Sequence, residues 1–267
     1  MKNGFFYIAF LCMVSVFSGC SEQERTGSLG ETELYFNERL ASISADGDSA
    51  FWIGSEAGDI WYMKQRSFQG YNIGADRIYK VVTDSVLADG KLCWVGIRNS
   101  GLQKWKLNEE ETSLEEICAI PNKGTNYSVY DILFVGKSLY VATSQGLYTM
   151  PRSGEKELKL VYPSEDSETA RSGKPFIVNN IRRYGSGCLL CATQEGLVRI
   201  SLANGEVSLS HAGEPIYTVS IYDNKVYLLA RKKLYVEDVK GNVLHEVDLK
   251  FSPRIYYCLL YTSDAAD

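Results

Sequence analysis

"LYVATSQGLYTM", residues 139–150, is an apolar strand, a short polar turn ending in Gly146, and a second apolar strand. The same three-part unit recurs as "FWIGSEAGDIWYM" at 51–63, "CWVGIRNSGLQKW" at 93–105, "LLCATQEGLVRI" at 189–200 and "VYLLARKKLYVE" at 226–237. The turn glycines Gly58, Gly101, Gly146 and Gly196 stand 43, 45 and 50 residues apart, and Lys233 takes the equivalent place 37 residues later. That period is the spacing of propeller blades, not of leucine-rich or helical repeats.

Working outward from 139–150, each unit gains two more strands. In the third, 129–135 precedes a turn at 136–138, and 158–162 follows a turn at 152–155. Equivalent turns recur at 88–91, 185–187, 203–206, 223–225 and 240–242. Their Gly and Asn residues tolerate the positive φ that tight reversals need. Four-stranded antiparallel units linked by hairpins at this period predict an all-β propeller, because a blade covers its faces only by stacking on its neighbours. The expected count is five blades plus the start of a sixth at "FSPRIYY", 251–257, an incomplete propeller spanning 32–257. Residues 32–36 are the candidate strand for closing the ring.

Composition agrees, with 18 Tyr, 23 Gly and only 6 Pro in 267 residues, a balance that favours strands and glycine turns. A net charge of −5 gives no sign of nucleic-acid binding. Residues 1–19 read as a secretory signal: Lys2, an apolar run at 5–17, then Ser18 and Gly19. The run is too short to span a bilayer as a helix. The ending Phe17-Ser18-Gly19-Cys20 resembles the lipobox of bacterial lipoproteins, with Cys20 as the lipidated first mature residue and 20–31 as a tether. Phe17 stands where that motif usually has Leu.

At the other end, "CLLYTSDAAD", 258–267, continues neither the alternation nor the charge pattern of the blades. In one reading frame it translates the transposase adapter end used in short-read library preparation. Residues 258–267 are therefore expected to be a sequencing-adapter artefact, with authentic sequence ending near Tyr257.

The repeated Trp-Ile-Gly or Tyr-Val-Ala-Thr, a few polar residues and Gly-Leu resemble the two-component regulator propeller repeat over about residues 40–249. The match is loosest in the fifth unit, where Arg231-Lys232-Lys233 replaces the glycine turn. The resemblance implies an exported, periplasmic or membrane-anchored sensor, in which the propeller receives an unidentified ligand. A membrane helix and a histidine kinase or regulator module would follow it. Cys20 points to an alternative, a self-contained lipoprotein propeller that binds protein or carbohydrate. A glycoside hydrolase or lyase is the third class, and no acid/base pair supports it.

No catalytic, cofactor or metal site is legible. His211 and His245 are read as surface or edge residues without partner motifs. Cys188 and Cys191 have CxxC spacing, but on a strand residues three apart face opposite ways, so both are read as small hydrophobes. Trp52, Trp61, Trp94 and Trp105 are expected to pack between sheets. Asp46-Gly47-Asp48-Ser49 is read as a hairpin turn, and the run of Glu109, Glu110, Glu111, Glu115 and Glu116 as a solvated loop. The insertion at 163–175 is read as a polar loop. If a ligand site exists, propeller logic puts it on the face of the second-to-third-strand turns, with Arg98, Asn99, Gln145, Gln194, Glu195 and Arg231.

Overall fold

The computed structural model describes residues 36–250, apart from 37, 48, 66, 109, 154–156 and 165–174. The signal segment, Cys20, the tether, the sixth-blade stub and the terminal ten residues lie outside that range. So do Asp48, Glu109, most of the 163–175 insertion, and the 32–36 strand apart from Phe36.

Every unit read from the repeat is a four-stranded antiparallel sheet, with strands hydrogen-bonded in sequence order. Blade I holds β1 (Leu40–Ala45), β2 (Ala50–Ser55), β3 (Asp59–Lys64) and β4 (Ser67–Asn72). Blade II holds β5 (Ile78–Leu87), β6 (Gly90–Ile97), β7 (Gly101–Leu107) and β8 (Ser113–Cys118). Blade III holds β9 (Val129–Val135), β10 (Ser138–Thr143), β11 (Gly146–Pro151) and β12 (Lys159–Tyr162). Blade IV holds β13 (Val178–Tyr184), β14 (Cys188–Thr193), β15 (Gly196–Ser201) and β16 (Val207–Ser210). Blade V holds β17 (Ile216–Tyr222), β18 (Lys225–Ala230), β19 (Lys233–Glu237) and β20 (Val243–Asp248). The fold is an all-β propeller, five blades of it within the described residues.

Alternation along each strand assigns one set of side chains to each neighbouring blade, and four apolar clusters fill the four blade interfaces. Trp52 and Ile60 of blade I meet Ile78, Cys93 and Val95 of blade II. Trp94 and Leu102 meet Val129, Leu139 and Val141 of blade III. Ala142 and Leu147 meet Val178, Leu189 and Cys191 of blade IV. Leu190 and Ala192 meet Ile216, Val226 and Leu228 of blade V. The first strands of successive blades pack on one another, β1 on β5, β5 on β9, β9 on β13 and β13 on β17, so they line the axis.

Three of the four tryptophans pack between sheets, as the sequence led us to expect. Trp52 and Trp94 are fully buried between sheets, and Trp52 Nε1 donates to Thr83 Oγ1 across blades I and II at 2.9 Å. Trp105 packs at the margin of the same interface and donates to Gln103 Oε1. Trp61 is the exception: it is half-buried, stacked edge-on against Phe36.

The turn glycines have a steric cause. The end of the fourth strand of a blade, or the connection just after it, passes against that blade's second-to-third-strand turn. A Cβ on Gly58 would lie 2.3 Å from the Ala75 carbonyl oxygen, one on Gly146 2.6 Å from that of Tyr162, and one on Gly196 2.5 Å from that of Ser210.

The CxxC pair also follows the alternation. Cys191 faces the III–IV cluster while Cys188 packs beside the IV–V cluster, and both are free thiols. Burial pushes the Cys191 thiol above its ordinary range and the Cys93 thiol up to about 12. Thiolate is the reactive form, so brief labelling of the folded chain with a maleimide should modify half-buried Cys188 well before Cys93 or Cys191. Peptide mass spectrometry reads the order; equal labelling of Cys188 and Cys191 would contradict the packing.

Candidate functional site

Two polar regions stand out: a belt along the axis and the rim of the second-to-third-strand turns. The belt begins with an irregularity common to all five blades. The pairing of first and second strands slips by one residue, at Ala41, Tyr79, Tyr130, Asn179 and Tyr217. Such a bulge re-aims the residue that follows it. Those residues are Ser42, Lys80, Asp131, Asn180 and Thr218, paired with Gly54, Gly96, Ala142, Ala192 and Leu229.

The re-aimed side chains tie the blades together. Ser42 Oγ donates to the Ile78 carbonyl, joining blade I to blade II. Asp131, only 3% exposed, is the hub. Its Oδ1 lies 3.3 Å from Lys80 Nζ of blade II and accepts from the Ile132 N–H at 3.0 Å. Its Oδ2 accepts from Asn180 Nδ2 at 2.8 Å, the Ile181 N–H at 3.0 Å and Arg182 Nη1 at 2.8 Å, all of blade IV. Asn180 Oδ1 in turn accepts from the Val219 N–H of blade V at 3.1 Å. Burial alone would raise the Asp131 carboxyl, but Lys80, Arg182 and the two backbone donors outweigh it and hold the group below the usual carboxylate range. An acid that is ionised, saturated and paired with two cations has no proton to give, so the belt is a structural clamp.

The rim collects the residues that the propeller logic nominated, one turn per blade. Most are consumed locally. Arg98 Nε pairs with Asp76 at 3.1 Å, and Asn99 exchanges hydrogen bonds with Ser128 Oγ. Gln145 Oε1 accepts from Lys123 at 3.4 Å, and Gln194 Nε2 donates to the Pro175 carbonyl at 3.2 Å. The Glu195 carbonyl accepts from the Gly213 N–H at 2.9 Å. In blade I, Glu56 is paired with Arg77. These turns hold the blade-to-blade connections in place and do not converge on one another.

Blade V differs. Arg231, Lys232 and Lys233 border an open depression of about 500 Å³ together with Gly213, Glu214 and Pro215. Blade V also holds a second buried acid. Glu237, 0% exposed, accepts from Arg199 Nη2 at 2.8 Å and is bonded to His211 Nε2 at 2.5 Å. The His211 ring stacks on Tyr235 with centroids 4.4 Å apart, and the Tyr235 hydroxyl donates to Glu214 Oε2 at 2.7 Å. Burial, then the Glu214 carboxylate, push that phenol up to about 12.

His211 thus departs from its reading as a surface or edge residue: it is half-buried against Glu237, while His245 is exposed on β20. Nothing near His211 in sequence signals Glu237, which is 26 residues away on another blade. The belt did leave a signal. Ile78-Tyr79-Lys80, Val129-Tyr130-Asp131, Val178-Asn179-Asn180 and Ile216-Tyr217-Thr218 share an aliphatic, bulge and polar order at blade spacing. Among the described residues no three metal-ligating side chains converge.

No protein-family model matches the chain, and no curated protein matches it. Its fold is similar to that of the extracellular domain of BT4673 from B. thetaiotaomicron, a protein assigned to a one component system in one structure and to a hybrid two component system in another. The first match has TM-score 0.52 and 17% identity over 85% of this chain and 36% of that one. The second has TM-score 0.50 and 17% identity over 83% and 34%. The dihydro-heme d1 dehydrogenase NirN, in complex with DHE, is similar at TM-score 0.54 and 14% identity, over 79% of this chain and 47% of NirN. The chain therefore spans about a third of the BT4673 chains and about half of NirN. At these identities what is shared is the fold, and that fold carries both a sensor's outer domain and an oxidoreductase.

Proposed function

We propose that this propeller is the ligand-sensing part of an exported, membrane-associated sensor or regulator, with no catalysis of its own. The observation that carries the reading is the likeness to the BT4673 extracellular domain over most of this chain. It is supported by the signal-like 1–19 segment and by the resemblance of the repeats to the two-component regulator propeller. The belt fits a receptor role: Asp131 couples blades II to IV, and Asn180 extends the tie to blade V, so a shift of one blade strains its neighbours. Signal output would lie in parts beyond residues 32–257.

A second reading has its own observation. The Phe17-Ser18-Gly19-Cys20 lipobox favours a lipoprotein propeller that serves as a protein- or carbohydrate-binding module. One experiment separates the two and also tests the adapter assignment of 258–267: reading the source DNA in frame past the codon for Tyr257. More blades followed by an apolar span of about 20 residues and a kinase or helix-turn-helix module are the expected result. Ring closure followed by a stop codon would overturn the sensor reading in favour of the lipoprotein module. Finding the last ten codons in the genome would overturn the adapter assignment.

A further inference from the structure

We infer that the depression on blade V is a binding site for an acidic saccharide, one presenting carboxylate oxygens and hydroxyls together. The inference rests on the ligand-sensing reading and names the chemistry of the ligand. It begins from the one repeat turn that breaks the pattern. Blades I to IV carry a turn glycine, and most of their polar rim side chains are engaged by neighbours. In blade V the turn is Arg231-Lys232, followed by Lys233. Lys233 is paired with Glu246, whereas Arg231 and Lys232 are exposed and have no ion-pair partner among the described residues. Two exposed cations at the edge of a concavity, on a chain of net charge −5, make a local field opposite in sign to the protein as a whole. A guanidinium beside an ammonium suits a carboxylate: Arg offers a planar fork of donors and Lys a point charge.

The acceptor side of the site is Glu214. Its Oε2 is taken by the Tyr235 hydroxyl, which leaves Oε1 for a donor from outside. Tyr235 is held in turn by the His211 ring, and His211 by buried Glu237, which Arg199 also anchors. Glu214 is therefore an oriented acceptor on a rigid base. Cations alone would suit any anion, but cations facing a fixed carboxylate acceptor select a ligand with both acid and hydroxyl groups. A uronic acid has that pairing. The depression, about 500 Å³, is open to solvent, so a short saccharide chain can rest in it with further rings outside.

The test is calorimetric titration of the full chain with trigalacturonate, with neutral maltotriose and inorganic sulfate as comparators. Trigalacturonate is expected to bind, more weakly as salt rises, because the exposed cations are screened. R231Q/K232Q together should weaken it at least tenfold, and Glu214→Gln severalfold, with the circular dichroism unchanged. Lys159→Gln, an exposed cation on the outer strand of blade III, should leave binding as it was. No trigalacturonate binding, equal binding by the double variant, or equal affinity for maltotriose or sulfate would each overturn the assignment. The outcome is separable from the sensor reading. An acid-binding propeller whose gene encodes no output module would keep this site and lose the sensor. A gene that encodes one, for a chain blind to trigalacturonate, would do the reverse.

Discussion

Asp131→Ala is expected to lower the unfolding free energy by about 3–5 kcal/mol, the cost of breaking a buried ion pair from one side. The substitution removes the carboxylate that Lys80 and Arg182 share near the axis, and takes the acceptor from the Ile181 and Ile132 N–H groups and the Asn180 amide. Urea unfolding followed by tryptophan fluorescence measures it; a loss under about 1 kcal/mol would show that the belt is not a clamp. Asp131→Asn, which keeps the volume and can still accept hydrogen bonds, should fall between. The pH dependence has a definite sign. The folded carboxyl is held below its unfolded value of about 3.9. Its contribution is therefore complete above that value and is lost as pH falls through the lower, folded one. The parent should become easier to unfold across that acid window by more than the Asp131→Asn chain does.

The second large effect is at a turn. Gly58→Ala is expected to cost about 2–4 kcal/mol, from a left-handed backbone and from overpacking. Gly58 has φ of +91°, and the new methyl would meet the Ala75 carbonyl at 2.3 Å and its N at 2.7 Å. Both are backbone atoms of the blade I to II connection, so neither can rotate away. Gly47→Ala is the comparator. Its φ is +73° but nothing lies within 4 Å of the added methyl, so only the backbone preference is lost, about 1 kcal/mol. The difference between the two chains in a thermal or urea melt isolates the steric term. Equal losses would mean that φ, and not the crossing chain, explains the repeat glycines.

Blade V departs from the rule. Lys233 occupies the place of those glycines, paired with Asp248 across β19 and β20, and the Leu249 N–H bonds back to the Lys232 carbonyl. The departure that weakens the repeat at Arg231-Lys232-Lys233 also forms the cationic rim.

How much could be read in advance follows from what is local. Alternation, turn composition and the spacing of Gly58, Gly101, Gly146 and Gly196 are short-range properties, and they determined the blades: the strands expected at 129–135, 139–143, 147–150 and 158–162 match β9 to β12 within two residues. The opposed faces of Cys188 and Cys191 follow from the same period of two. Arg231 was nominated from the repeat alone, because its turn position is a sequence fact. The contacts of His211 with Glu237, of Tyr235 with Glu214 and of Asp131 with Lys80 and Arg182 were decided only by the tertiary structure. Each joins residues about 20 to 50 positions apart. Their meeting depends on how each blade is rotated and stacked on the next, and on a one-residue bulge that turns a polar side chain toward the axis. A repeat specifies the shape of one blade through local sterics, whereas a site between blades depends on packing summed over whole sheets.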